Sequence, residues 1–215
     1  MSIKERKERE KDDRRKLILN AANEIIMSEG IDHLSIRKIA GMIDYSPTII
    51  YHYFKDKDDI ISHLMNKGYM KIANTLSSTP IHSDEPDIRL KELTRNYIDT
   101  ALEMSAEYKA IHLSSSPAVL EYTSSLFEGA STKNAALGIL FQCLKDILKS
   151  KDIPDISIEL TAQVFMSAAF GLIIKLIVEK DIDEGQRERL IEHFIKCSVD
   201  GMILGKSFTM IERNL

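Results

Sequence analysis

Only two cysteines, five prolines and nine glycines occur among the 215 residues. Cys143 and Cys197 lie far apart in apolar surroundings. They read as small buried thiols of a reducing, cytoplasmic compartment, not as a disulfide framework. No uninterrupted apolar run approaches the ~20 residues of a membrane span, so no membrane partner is expected. The opening MSIKERKEREKDDRRK lacks the apolar centre of a secretory signal. Alternating runs rich in valine and threonine are missing, which argues against a sheet. Missing too are a glycine-rich phosphate loop, a nucleophile elbow and any metal-ligand spacing among the six histidines and two cysteines. No catalytic residue, metal or cofactor is therefore expected.

What is present is enough length for a sizeable core and an uneven distribution of charge. Residues 1–57 carry 12 Lys+Arg against 10 Asp+Glu, net +2, whereas residues 58–215 carry 17 against 23, net −6. Only the N-terminal part is suited to meet a polyanion.

Helical spacing organises almost all of the chain. Leu17, Ile18, Ala21, Ala22, Ile25 and Ile26 form an apolar stripe over residues 13–29, stopped by Gly30. The charged arm before it either frays or prolongs this helix. Ser35 is placed to cap a short second helix with Ile36, Ile39, Ala40 and Ile43 turned inward. A tight turn at Asp44 and Tyr45 leads to Ser46, the cap of a third helix, with Pro47 at its first position. Asp56, with Asp59 three residues on, starts a fourth helix that runs to about residue 77. The polar stretch 77–87 is a connector. Further helices are expected at about 88–108, 110–115, 117–150 with a break near Gly129, 157–180 and 184–205, the last capped by Asp183 with Gln186. The class is all-α, with about nine helices.

The second and third helices are too short to stand alone. A short helix, a tight turn and a second short helix outline a helix-turn-helix, whose second helix enters the major groove of DNA. In SPTIIYHYF, residues 46–54, helical spacing places Ile50 and Phe54 on one face. Pro47, Thr48, Tyr51 and His52 fall on the other, where a hydroxyl can reach a phosphate and threonine a base edge or a thymine methyl.

With its neighbours, LSIRKIAGMIDYSPTIIYHYFKDKDDII, this segment closely resembles the N-terminal domain of the TetR family of bacterial transcriptional regulators, over about residues 12–71. The resemblance implies a three-helix helix-turn-helix DNA-binding domain at 12–72, with the helix-turn-helix at about 35–54. It implies a helical ligand-sensing and dimerisation domain at 73–215. Such a protein is a cytoplasmic homodimer, most often a repressor. It binds a palindromic double-stranded DNA operator and is released by a small-molecule effector. Residue by residue, Arg37 matches a helix-two position that contacts base or phosphate. Pro47, Thr48, Tyr51 and His52 match the reading face of the recognition helix. Lys57 matches a lysine that binds phosphate with the amino end of the fourth helix. The capping Ser35 and Ser46 complete the expected DNA-binding set. Asp44 stands where the family usually has glycine, and aspartate tolerates left-handed angles. Ile49 replaces a common threonine, which removes one phosphate hydrogen bond or moves it to Thr48.

Beyond residue 72 the resemblance is architectural. The helices at 157–180 and 184–205 have apolar faces too wide for one packing partner, which suits a four-helix bundle across a two-fold axis. Tyr97, Met104, Tyr108, His112, Tyr122, Phe141, Phe165, Met166 and Phe170 are candidates for lining a mostly hydrophobic effector pocket. Two other readings compete, an all-helical small-molecule carrier and a protein-binding adaptor using the wide apolar helices.

Overall fold

The computed structural model describes residues 2–78 and 85–203. Among these it is all-helical, with ten α-helices and two short 3-10 turns. The expected connector at 77–87 lies largely outside the described residues. By packing, the chain forms two compact units, one of residues up to 69 with 106–123, the other of 70–105 with 124 onward.

The first unit is built on α1 (Ile3–Glu29), which begins ten residues earlier than the apolar stripe alone indicates. A capping box explains this: the Ser2 hydroxyl accepts from the Glu5 N–H (3.2 Å), and the Glu5 carboxylate accepts from the Ser2 N–H (2.7 Å). Gly30 ends the helix at φ 93°. A 3-10 turn leads to α2 (Ile36–Met42), then α3 (Pro47–Tyr51) and α4 (Lys57–Ser78). Ile18, Ala22 and Ile25 of α1, Ile39 of α2, Ile50 and Phe54 at α3, and Ile60 and Ile61 of α4 share one core. The helices α6 (Ser105–His112) and α7 (Pro117–Thr123) return to this unit, and Ala118 and Val119 join its core. Nothing in the apolar spacing of 106–123 marked that return.

The second unit packs α5 (Pro86–Glu103), α8 (Ala135–Ile147), α9 (Asp155–Val178) and α10 (Glu184–Ile203). Arg95 of α5 lies between Asp99 of its own helix and Glu188 of α10, donating to Glu188 at 2.9 Å. The expected capping box of α10 is half made. The Gln186 N–H donates to Asp183 (3.0 Å), but the Gln186 side chain accepts from Arg189 instead. The break near Gly129 is a full separation of α7 from α8. The intervening turn is tied down by α9, where Glu159 is buried and accepts from the Ser131 hydroxyl (2.6 Å), the Ser131 N–H (2.8 Å) and the Gly129 N–H (2.8 Å). These bonds, that of the Ser131 hydroxyl first, hold its carboxyl below the usual carboxylate range. Gln163, one turn on, donates to the Phe127 carbonyl at 2.9 Å. A Cβ at Gly138 would stand 2.6 Å from the Ser131 carbonyl oxygen, so only glycine lets α8 approach this turn.

Two sequence expectations need correcting here. Cys143 is buried, but Cys197 is exposed on α10 and touches His193, with Sγ 3.4 Å from Nε2. And α9 is, by length and a mean hydropathy of 1.8, apolar enough to cross a membrane, although a third of its most apolar window is buried in the chain. Glu159 and Gln163, one turn apart on the same face, and Lys175 on another face break its apolar run in the sequence. The outward face keeps Ile156, Leu160 and Val164 exposed, Val164 at 70%.

Glu159→Ala would leave the Gly129 and Ser131 amides without their acceptor. We expect the urea midpoint to fall by the equivalent of about 2–4 kcal/mol, and Gln163→Ala to cost less.

Candidate nucleic-acid interface

The turn between α2 and α3 depends on Asp44, which adopts φ 54° and is the one non-glycine residue with positive φ among those described. The tolerance expected of aspartate at this position is realised. The Tyr45 N–H closes the turn onto the Ala40 carbonyl at 2.9 Å. The two capping serines differ. Ser35 accepts from the Lys38 N–H at 3.2 Å, whereas Ser46 occupies the N-cap position of α3 without a side-chain cap bond. The Ser46 hydroxyl is therefore free to bond outward.

α3 has five residues, and its orientation comes from below. Ile50 is fully buried and Phe54 nearly so. Arg15 of α1 stacks on the Phe54 ring, 4.5 Å from its centroid, and donates to the Tyr53 carbonyl at 3.1 Å. Its second amino group reaches His63 Nε2, while His63 Nδ1 donates to the Asp59 carbonyl at 2.8 Å. Sequence reading missed Arg15, because nothing in DDRRK separates one arginine from the next. With this underside fixed, Arg37, Ser46, Pro47, Thr48, Tyr51 and His52 are all exposed, Tyr51 at 56%. Among the described residues the side chains of Arg37, Thr48, Tyr51 and His52 make no hydrogen bond or ion pair.

Lys57 is the first residue of α4 and is half-buried. Three aspartates surround it, but two are engaged as caps: Asp56 accepts from the Asp59 N–H (2.8 Å) and Asp59 from the Lys55 N–H (2.9 Å). Lys57 forms no ion pair among the described residues. The first turn of α4 thus presents a cation and helical N–H groups at one point, a setting that suits an anion.

The candidate effector residues separate. Tyr97 of α5 and Phe165 and Met166 of α9 meet at a shallow, open cleft in the second unit. Leu90, Leu93 and Thr94 of α5, Ala136, Ile139 and Leu140 of α8, and Ala169 of α9 complete its lining. Ala136 and Ala169 leave the space that larger residues would fill, which was the one sequence signal available. Met104 is buried at the end of α5, and Phe141 and Phe170 are half-buried elsewhere on α8 and α9. Tyr108, His112 and Tyr122 belong to the first unit. Tyr108 and His112 stack with centroids 4.2 Å apart, and burial pushes the His112 pKa down to about 4. Tyr122 packs against the helix-turn-helix core.

The left-handed turn gives a direct test. Asp44→Gly should leave the urea midpoint within the equivalent of about 0.5 kcal/mol. Asp44→Val, which crowds its own carbonyl at this φ, should cost about 1–2 kcal/mol.

Residues 18–64 match the family model described as bacterial regulatory proteins, tetR family. No curated protein matches the sequence. Among solved structures, the chain is similar to a bacterial regulatory protein of the tetR family from Rhodococcus RHA1 (15% identity, 88% of this chain and 96% of that one, TM-score 0.62). It is similar to a protein of Shewanella sp. PV-4 assigned to the tetR family of transcription regulators (16%, 88% and 96%, TM-score 0.64). It is also similar to the fatty acid degradation regulator FadR from Bacillus halodurans (15%, 87% and 95%, TM-score 0.60). At such identities these likenesses establish the fold alone. Residues 18–64 therefore form a tetR-family N-terminal domain, and the chain has the fold of TetR-family proteins over most of its length.

Proposed function

We propose that the chain is a cytoplasmic, dimeric repressor that binds a palindromic operator and is released from it by a small hydrophobic effector. The observation that carries this reading is the set of exposed side chains without partners on α2 and α3 (Arg37, Thr48, Tyr51 and His52), held rigid from beneath by Ile50, Phe54 and Arg15. A surface with that many free donors and acceptors is made to exchange water for a polar ligand. Thr48 and His52 face base edges, Tyr51 and Ser46 reach phosphate, and Arg37 approaches from α2. Lys57 takes a backbone phosphate at the amino end of α4.

The outward face of α9 supports self-association. Ile156, Leu160 and Val164 are exposed there in one stripe, and exposed Leu190 lies on the neighbouring α10. Two copies joined through these helices around a two-fold axis would present two recognition helices to one face of DNA, about 34–36 Å apart. The cleft among α5, α8 and α9 is lined by hydrocarbon except for Thr94 and Tyr97. Thr94 already donates to the Leu90 carbonyl at 2.7 Å. Such a lining selects an effector with little charge, and the fold likeness to a regulator of fatty acid degradation is in keeping with an acyl-chain-like ligand. An effector that binds one dimer conformation better shifts the population away from the operator-binding spacing.

The test is selection of duplexes from a random-sequence pool by the purified protein. Enrichment of a symmetric site is expected, and enrichment of no sequence would sink the reading. On the enriched duplex, Tyr51→Ala should weaken binding about 10- to 100-fold. Lys57→Ala should flatten the salt dependence by about one phosphate contact per bound chain. Val164→Arg should halve the mass measured by light scattering. A dimer that persists would remove the α9 face from the interface.

A further inference from the structure

We propose that the first three turns of α1 are a second DNA-contacting element, which grips the phosphodiester backbone beside the site covered by α2 and α3. The inference rests on the DNA-binding reading above and adds a surface that the helix-turn-helix does not contain.

The arm is a formed helix from Ile3, started by the Ser2–Glu5 capping box, so its charges are held in register. At 100° per residue, Lys4, Lys7, Lys11, Arg14 and Arg15 fall in one stripe about 100° wide. All five acids of the arm, Glu5, Glu8, Glu10, Asp12 and Asp13, fall outside it, with Glu8 at its edge. The mixed signs of the linear sequence are thus sorted by the helix into a cationic face and a compensated remainder. Arg6 shows the compensated pattern, pairing with Glu10 at 3.5 Å. Lys4, Lys7 and Lys11 are exposed and make no ion pair among the described residues. Like charges three and four residues apart repel each other along a helix, and a polyanion laid along the stripe removes that repulsion.

Two observations place the stripe beside the recognition helix. Continued along α1, the same face becomes Ile18, Ala22 and Ile25, which are buried in the helix-turn-helix core. The cationic face therefore looks to the side of α1 on which that motif packs. The stripe also ends at the motif itself. Arg15 holds the Tyr53 carbonyl and the Phe54 ring, and the Tyr53 hydroxyl raises the pKa of Arg14. From Lys4 to Arg15 the helix rises about 16 Å, the length of roughly five phosphates along one strand. The arm has no apolar face opposite the lysines that could enter a bilayer, so the polyanion is a nucleic acid backbone and not a lipid surface.

The test compares two triple variants of the full chain on the duplex enriched by the wild-type protein, by fluorescence anisotropy between about 50 and 200 mM KCl. Lys4→Ala/Lys7→Ala/Lys11→Ala empties the stripe. Arg6→Ala/Arg9→Ala/Lys16→Ala removes the same charge from the other faces. Circular dichroism confirms that both stay helical. We expect the first variant to flatten the slope of log K against log [KCl] by about 0.9 per lysine, and to bind at least about tenfold more weakly at the low-salt end. The second should change the slope by less than half as much. An unchanged slope in the first variant, or equal losses in both, overturns the proposal while leaving the helix-turn-helix reading intact. Failure of the wild type to enrich any duplex removes both.

Discussion

The burial of Ile50 and Phe54 is the contact on which the exposed face of α3 depends. α3 has five residues, far too few to persist as an isolated helix. Its two core anchors are together worth about 3–6 kcal/mol of apolar burial, enough to offset that weakness. Arg15 then closes the Phe54 ring from the α1 side. Because the anchoring is done from beneath, Thr48, Tyr51 and His52 are released from any structural duty. A helix that had to use these residues for its own stability could not offer them to a ligand.

The second unit solves a different problem with the same economy of faces. α9 must be apolar inward, where Ile158, Ala162 and Ile173 are buried, and it is also apolar outward at Ile156, Leu160 and Val164. Its few polar residues are not solvated decorations. Glu159 and Gln163 reach into the turn before α8 and satisfy backbone groups that no helix there could satisfy. The cleft among α5, α8 and α9 is lined in part by the short side chains of Ala136 and Ala169. Charge is divided accordingly, with the excess of acid confined to residues 58–215 and the excess of base to the part with the helix-turn-helix.

Most of the helix-turn-helix was legible in the sequence because its determinants are local. Ser35 caps α2, Pro47 opens α3, Asp44 takes the left-handed angle, and Asp56 and Asp59 start α4, all through contacts within five residues. The lining of the second unit's cleft was much less legible. Tyr108, His112 and Tyr122 share the apolar spacing of Tyr97, Phe165 and Met166, yet they lie in the first unit. Periodicity reports which side of a helix is apolar and carries no information on which neighbour covers it. Arg15 was hidden for the converse reason. Its partners, Tyr53 and Phe54, lie 38 and 39 positions away, and its charge looks like its neighbours'.

By itself, then, the sequence determined the all-helical class, the place and polarity of the helix-turn-helix, and the identity of the side chains on its outer face. Each of these follows from capping, backbone preference and 3.6-residue spacing, which act over one or two turns. Only the tertiary structure decided that α6 and α7 join the first unit, that the α5–α8–α9 cleft is lined by Tyr97, Phe165 and Met166 of the nine candidates, and that Arg15 reaches Tyr53 and Phe54. Those outcomes depend on which helices meet, and that is settled by the packing of residues distant in the chain.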